Sequence, residues 1–281
     1  MICSSLNLDL RMMGSPRRLV YERTLIIAAP LLGEEVMNKL DRSRRAQIIA
    51  ALVEGTSIRA TSRMVGVSKD TVMKLLVDVG KVCAEYQDRA FRNLPCKRVQ
   101  CDEIWSFCHA KEKNVSPEHK GVLGYGDVWT WTAIDADTKL IPCWHIGRRD
   151  GRAAYEFITD LASRLASRVQ LTTDGHRPYL EAVEAAFGCE VDYAMLVKIY
   201  GKPQEEIRYS PPQILDIKCS TVSGNPDPAH ISTSNAFSKK LENHMHATAL
   251  HYMYYNFARI HKSLRCSPAM ACGRLSEALG H

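Results

Sequence analysis

Apolar residues begin to recur at helical spacing after Asp41, where Ala46, Ile49, Ala50 and Val53 share one face and Asp41 stands as an N-cap. Gly55 closes that helix. Thr56 and Ser57 open a second, short one through Ile58, Ala60 and Met64. Gly66 makes a tight turn, and Ser68 caps a third helix carrying Val72, Leu75, Leu76 and Val79. Three short helices, the last two joined by a glycine turn, predict a helix-turn-helix over residues 37–80. Residues 81–97 read as a helical linker that Pro95 ends.

The period then changes. Arg98 to Phe107 predicts a strand, and Val128 to Ile134 a second. Asp135 to Thr138 forms a hairpin turn, and Leu140 to Ile146 is the return strand. Gly151 to Ala166 is an amphipathic helix, Val169 to Thr173 a strand, and Pro178 to Phe187 a further helix. An antiparallel meander followed by alternating helix and strand predicts an α/β domain, a mixed sheet flanked by helices, over residues 98–281. Tyr200 to Ser234 is polar and proline-rich and reads as loops. A last helix from Asn235 to about Asn256 leads into an arm with Arg259, His261 and Pro268. Residues 1–36 read as a poorly ordered leader, with Met37 a natural start.

Composition narrows the class only a little. The chain has 281 residues and a formal net charge of +6, compatible with a nucleic-acid partner without requiring one. No apolar run is long enough to span a membrane. Ten cysteines are scattered without a C-x-x-C pair, which suits reduced, buried thiols better than a zinc module. Cys101, Cys108, His109 and His119 cluster in sequence, but their spacing matches no zinc pattern.

Two carboxylates stand out by position. Asp102 interrupts the apolar text of the first strand, where an unpartnered charge is costly. Asp174 falls just past a later strand, in Thr173-Asp174-Gly175. Carboxylates on strands of one sheet can converge on Mg²⁺ or Mn²⁺, which take hard oxygen ligands. The bland reading makes Asp102 a strand-edge residue and Asp174 a helix cap. Strand alternation turns Glu103 away from Asp102 and makes it the weaker candidate. In the helical region, Arg59, Arg63, Lys69 and Lys74 can contact phosphates, and Ser68 and Thr71 can reach base edges. Lys262 and Arg265 in the arm are further phosphate candidates.

The chain resembles the DDE transposases of bacterial insertion sequences, and closely the insertion-sequence-one type. Five stretches carry the resemblance. They are Met37-Asn38-Lys39-Leu40 and the helices after it, Cys101-Asp102-Glu103-Ile104-Trp105-Ser106-Phe107, Thr173-Asp174-Gly175, Asn235-Ala236-Phe237-Ser238-Lys239-Lys240-Leu241-Glu242-Asn243-His244, and Tyr255 to Leu264 with Pro268-Ala269. The resemblance implies an RNase H-like core that binds two Mg²⁺ or Mn²⁺ ions through two Asp and one Glu, with Asp102 and Asp174 as the two Asp. It implies cleavage at insertion-sequence ends and transfer of the exposed 3′-hydroxyl to target DNA. The implied partners are double-stranded DNA at terminal repeats and at the target, with self-association on DNA. The implied setting is cytoplasmic and nucleoid-associated.

The third acid departs from the pattern. In the family it lies in a Glu-Arg-x-Asn setting, followed by a basic stretch and then the Asn-Ala-Phe-Ser-Lys-Lys block. Here His230-Ile231-Ser232-Thr233-Ser234 runs straight into Asn235. Glu242 is the nearby carboxylate on an expected helix, and in the family pattern it belongs to the downstream block. The expectation is therefore a DDE transposase with reduced or absent strand transfer. The alternative is an inactive, transposase-derived DNA-binding protein that holds terminal repeats or acts as a repressor. A general metal-dependent nuclease is a third reading. Of the remaining positions, His244, His246, His251 and His261 spread over several helical faces and read as exposed. Trp129 and Trp131 share a strand face and read as core.

Overall fold

The computed structural model describes residues 40–200, 214–225 and 241–274. The leader expected over residues 1–36, the Met37 to Lys39 text and the Asn235 to Lys240 block lie outside the described residues. The protein falls into two compact units: one runs to Ala84 and includes His246–Arg259, the other comprises Glu85–Met245 and the residues from Ile260 onward. The sequence reading placed all of 98–281 in one core, whereas the structure groups the second half of the last long helix with the N-terminal helices.

The first unit is helical. Helix α1 spans Arg42–Val53, α2 Ile58–Val65 and α3 Lys69–Ala90. Each start is capped as its sequence dictates. Asp41 accepts from Arg44 N at 2.9 Å, Ser57 from Ala60 N at 3.2 Å and Ser68 from Thr71 N at 3.1 Å. Gly66 ends α2 at φ 70°, a left-handed conformation that glycine adopts at little cost. Ile48, Ile49, Val72, Leu76 and Val79 supply the buried side chains of these helices. On α2, Met64 is exposed and Thr61 is buried. Helix α3 runs on to Ala90, so it takes in the first part of the expected linker.

The second unit is mixed α/β. Strand β1 spans Arg98–Cys108, β2 Gly126–Asp135, β3 Trp144–Gly147, β4 Val169–Asp174, β5 Val191–Tyr200 and β6 Ile214–Ser223. They form one six-stranded sheet in the order β3-β2-β1-β4-β5-β6. β1, β2 and β3 pair antiparallel, β4 and β5 continue parallel to β1, and β6 returns antiparallel. Helices α4 (Gly151–Arg164) and α5 (Pro178–Phe187) follow β3 and β4, and α6 spans Leu241–Met253. A short α7, Pro268–Ala271, follows.

The period of two along β2 assigns its faces. Trp131 is fully buried and meets Phe157 of α4 and Tyr179 of α5, at centroid separations of 6.0 and 5.4 Å. Val128 and Thr130 point the other way. Val128 packs with Cys108, Ile146 and Leu241, and Thr130 bonds His244 of α6. Helices therefore cover both faces of the sheet. The hairpin return is shorter than expected: Leu140 to Cys143 are buried but outside the ladder, and β3 begins only at Trp144. Strands β5 and β6 are additions to the sequence reading, and β6 falls where loops were expected.

Candidate metal centre

The parallel register of β1 and β4 builds the site. The β1–β4 ladder ends at the Gln100–Thr172 pair, and Asp102 and Asp174 each lie two residues beyond it on their strands. Asp174 is the last residue of β4, half-buried, and its Oδ1 accepts from His176 N at 2.9 Å. Asp102 Oδ1 accepts from the backbone N–H of Glu103 at 2.9 Å, which bends its carboxylate along the strand. One ligand oxygen from each of Asp102, Glu103 and Asp174 lies within 4.8 Å of the other two.

Glu103 joins the centre although strand alternation alone would turn it away from Asp102. It lies opposite Trp131 in the β1–β2 ladder, and its side chain is 1% exposed. Burial, then the nearby Asp174 carboxylate, push its carboxyl up to about 7, against weaker lowering by Tyr179 and Arg149. The fully buried Tyr179 hydroxyl and Arg149 both hydrogen-bond the Glu103 carboxylate, and His176 Nε2 nearby is buried.

Arg149, in the loop between β3 and α4, bridges two of the acids. Its Nε donates to Glu103 Oε2 at 2.9 Å and its second nitrogen to Asp174 Oδ2 at 2.8 Å. Its guanidinium lies 5.0 Å from the Trp129 ring centroid. With Arg148, Trp129 and Asp127 it also lines a cavity of about 210 Å³. Nothing in the sequence singled Arg149 out, because one of several arginines acquires meaning only when a loop sets it beside two carboxylates.

The remaining predicted residues fall as follows. Glu242 occupies the first turn of α6, is exposed, and is not in the group that converges with Asp102 and Asp174. Arg59, Arg63, Lys69 and Lys74 are exposed along α2 and the start of α3. Ser68 and Thr71 share a 2.8 Å hydroxyl–hydroxyl bond, so both are engaged in capping α3. Lys262 and Arg265 are exposed in a turn where Arg265 N donates to His261 O at 2.8 Å. The aromatic positions resolve one by one. Trp131 is core, Trp129 is the half-buried seat beneath Arg149, and His109 and His119 both stack on Tyr125. His244, expected on the surface, is buried and shares a 3.0 Å hydrogen bond with Thr130.

Compared with known protein families and with curated proteins, the chain matches none. No described helix is long and apolar enough to cross a membrane.

Proposed function

We propose that this protein is a divalent-metal-dependent phosphodiester-processing enzyme of the DDE transposase type, acting on double-stranded DNA. The observation that carries the reading is the convergence of Asp102 and Glu103, in the middle of β1, with Asp174 at the end of the adjacent parallel β4. Three hard oxygen donors within 4.8 Å of one another suit Mg²⁺ or Mn²⁺. Bound there, such a cation would lower the pKa of an attacking hydroxyl and offset charge on the departing oxygen. Asp102 from within β1 and Asp174 from the end of β4 would hold it, and Glu103 would supply the third carboxylate in place of the family's missing Glu. The antiparallel meander continued by strands parallel to β1 supports an RNase H-like reading of the sheet.

The helices of the first unit support a helix-turn-helix. Helices α2 and α3 are joined by a left-handed glycine, and Arg63, Lys69 and Lys74 are exposed beside it. They would grip phosphates and set the register on terminal-repeat DNA.

The exposed, separate position of Glu242 favours a second reading, a DNA-binding protein without strand-transfer activity. The deciding experiment is cleavage and joining of a labelled terminal-repeat duplex by the full chain with Mn²⁺, beside Asp102→Asn and Asp174→Asn. Metal-dependent nicking lost in both variants supports the enzyme. Tight duplex binding with no strand scission under any metal supports the second reading. Scission without joining would make it a nuclease.

A further inference from the structure

We infer that Arg149 is a resident counter-ion of the acidic centre, one that must leave Glu103 and Asp174 before a divalent cation can load, and so sets the centre's cation affinity. The inference rests on the metal-centre reading above and adds a named positioning residue to it.

The geometry carries it. Arg149 reaches Glu103 Oε2 and Asp174 Oδ2 at 2.9 and 2.8 Å, on the carboxylates that converge with Asp102. A cation on these carboxylates and a guanidinium donating to them compete for the same negative charge. The bridge is good chemistry without metal, because three carboxylates crowded together repel and one is wholly buried. It is also a bridge that can open. The Arg149 side chain is 34% exposed, so the guanidinium can exchange into water without crossing a core.

Trp129 gives it somewhere to go. The guanidinium already lies 5.0 Å from that ring's centroid, beside a cavity that Arg148 also lines. A guanidinium that releases the carboxylates while keeping the aromatic contact remains next to the centre, charged and unpaired. That is the arrangement required to take a DNA phosphate once the cation is in place. Metal loading and phosphate capture are then linked through one side chain.

The test is Mn²⁺ binding to the full chain by titration calorimetry, with thermal unfolding in chelator and in Mn²⁺, for the wild type, Arg149→Gln and Arg149→Lys. Removing the competing charge should tighten Mn²⁺ binding by about tenfold or more in Arg149→Gln, with Arg149→Lys between it and the wild type. In chelator, Arg149→Gln should unfold at a lower temperature than the wild type, and Mn²⁺ should raise its midpoint by more than it raises the wild type's. If Arg149→Gln does not fold without metal, the Lys variant carries the comparison. Equal or weaker Mn²⁺ binding in both variants would overturn the inference while leaving the metal centre standing. Absence of Mn²⁺ binding in all three proteins would overturn both.

Discussion

Asp102 and Glu103 are joined by a 2.9 Å hydrogen bond from the Glu103 backbone N–H to Asp102 Oδ1. Adjacent residues of a strand ordinarily send their side chains to opposite faces. By folding back along β1, the Asp102 carboxylate stays within ligand reach of its neighbour and of Asp174. Glu103→Gln should therefore weaken Mn²⁺ binding by about tenfold, while Glu242→Gln leaves it unchanged. Calorimetry on the two variants separates them. A loss confined to Glu242→Gln would return the third acid to α6.

Duplex binding should depend on the exposed cations of α2 and α3. Lys69→Ala and Lys74→Ala should each weaken terminal-repeat and unrelated duplexes alike, and lower the slope of log affinity against log salt by about 1. Fluorescence anisotropy across a salt series measures both. Ser68→Ala should instead act through stability, costing about 0.5–2 kcal/mol, because its hydroxyl caps α3. A large affinity loss in Ser68→Ala with an unchanged unfolding midpoint would show that Ser68 contacts DNA.

Gly80→Ala should destabilise the first unit. A glycine inside a helix normally costs about 1 kcal/mol relative to alanine, so the substitution would help on propensity alone. Here an added Cβ would stand 2.5 Å from His246 Cβ and 2.7 Å from its Cα, and backbone cannot step aside cheaply. Overpacking of about 1–3 kcal/mol wins. Chemical denaturation of wild type and variant checks the sign.

Stability should fall on acidification, in part through His244. Burial without a charged partner holds its pKa below the ordinary 6.5. As pH drops through about 6.5, the unfolded chain takes up a proton that folded His244 refuses, so stability present above that pH is lost, by up to ~1.4 kcal/mol per pH unit. Burial shifts His145 and His251 in the same direction. Unfolding midpoints at about pH 7.5 and 5.5 should differ less in His244→Gln, which keeps a polar atom for Thr130 but does not titrate. An identical acid loss in the variant would show that His244 contributes nothing.

The helix starts and the meander were legible because their signals are local. Asp41, Ser57 and Ser68 cap within three residues of themselves, and the β1–β2 alternation is written in consecutive positions. Asp102 and Asp174 were legible as misfits of polarity in apolar strands. Strand β6 was missed because nearby prolines dominated the reading, although Ile217, Cys219 and Thr221 alternate with Asp216, Lys218 and Ser220. The roles of Glu103 and Arg149 could not be read, since one depends on a side chain bending along its strand and the other on a loop 46 residues away. The Thr130–His244 bond spans 114 positions and has no local trace at all.

The first unit is assembled from two separated stretches, one ending at Ala84 and the other covering His246–Arg259. During synthesis its opening helices leave the ribosome roughly ten to thirty seconds before the stretch that completes them, at about 5–20 residues per second. Through that interval Gly80 waits for His246, the residue that stands directly against it in the finished protein. The nascent chain is thus at its most exposed to chaperones and proteases early on, and no single cut after Ala84 would release a finished N-terminal fragment.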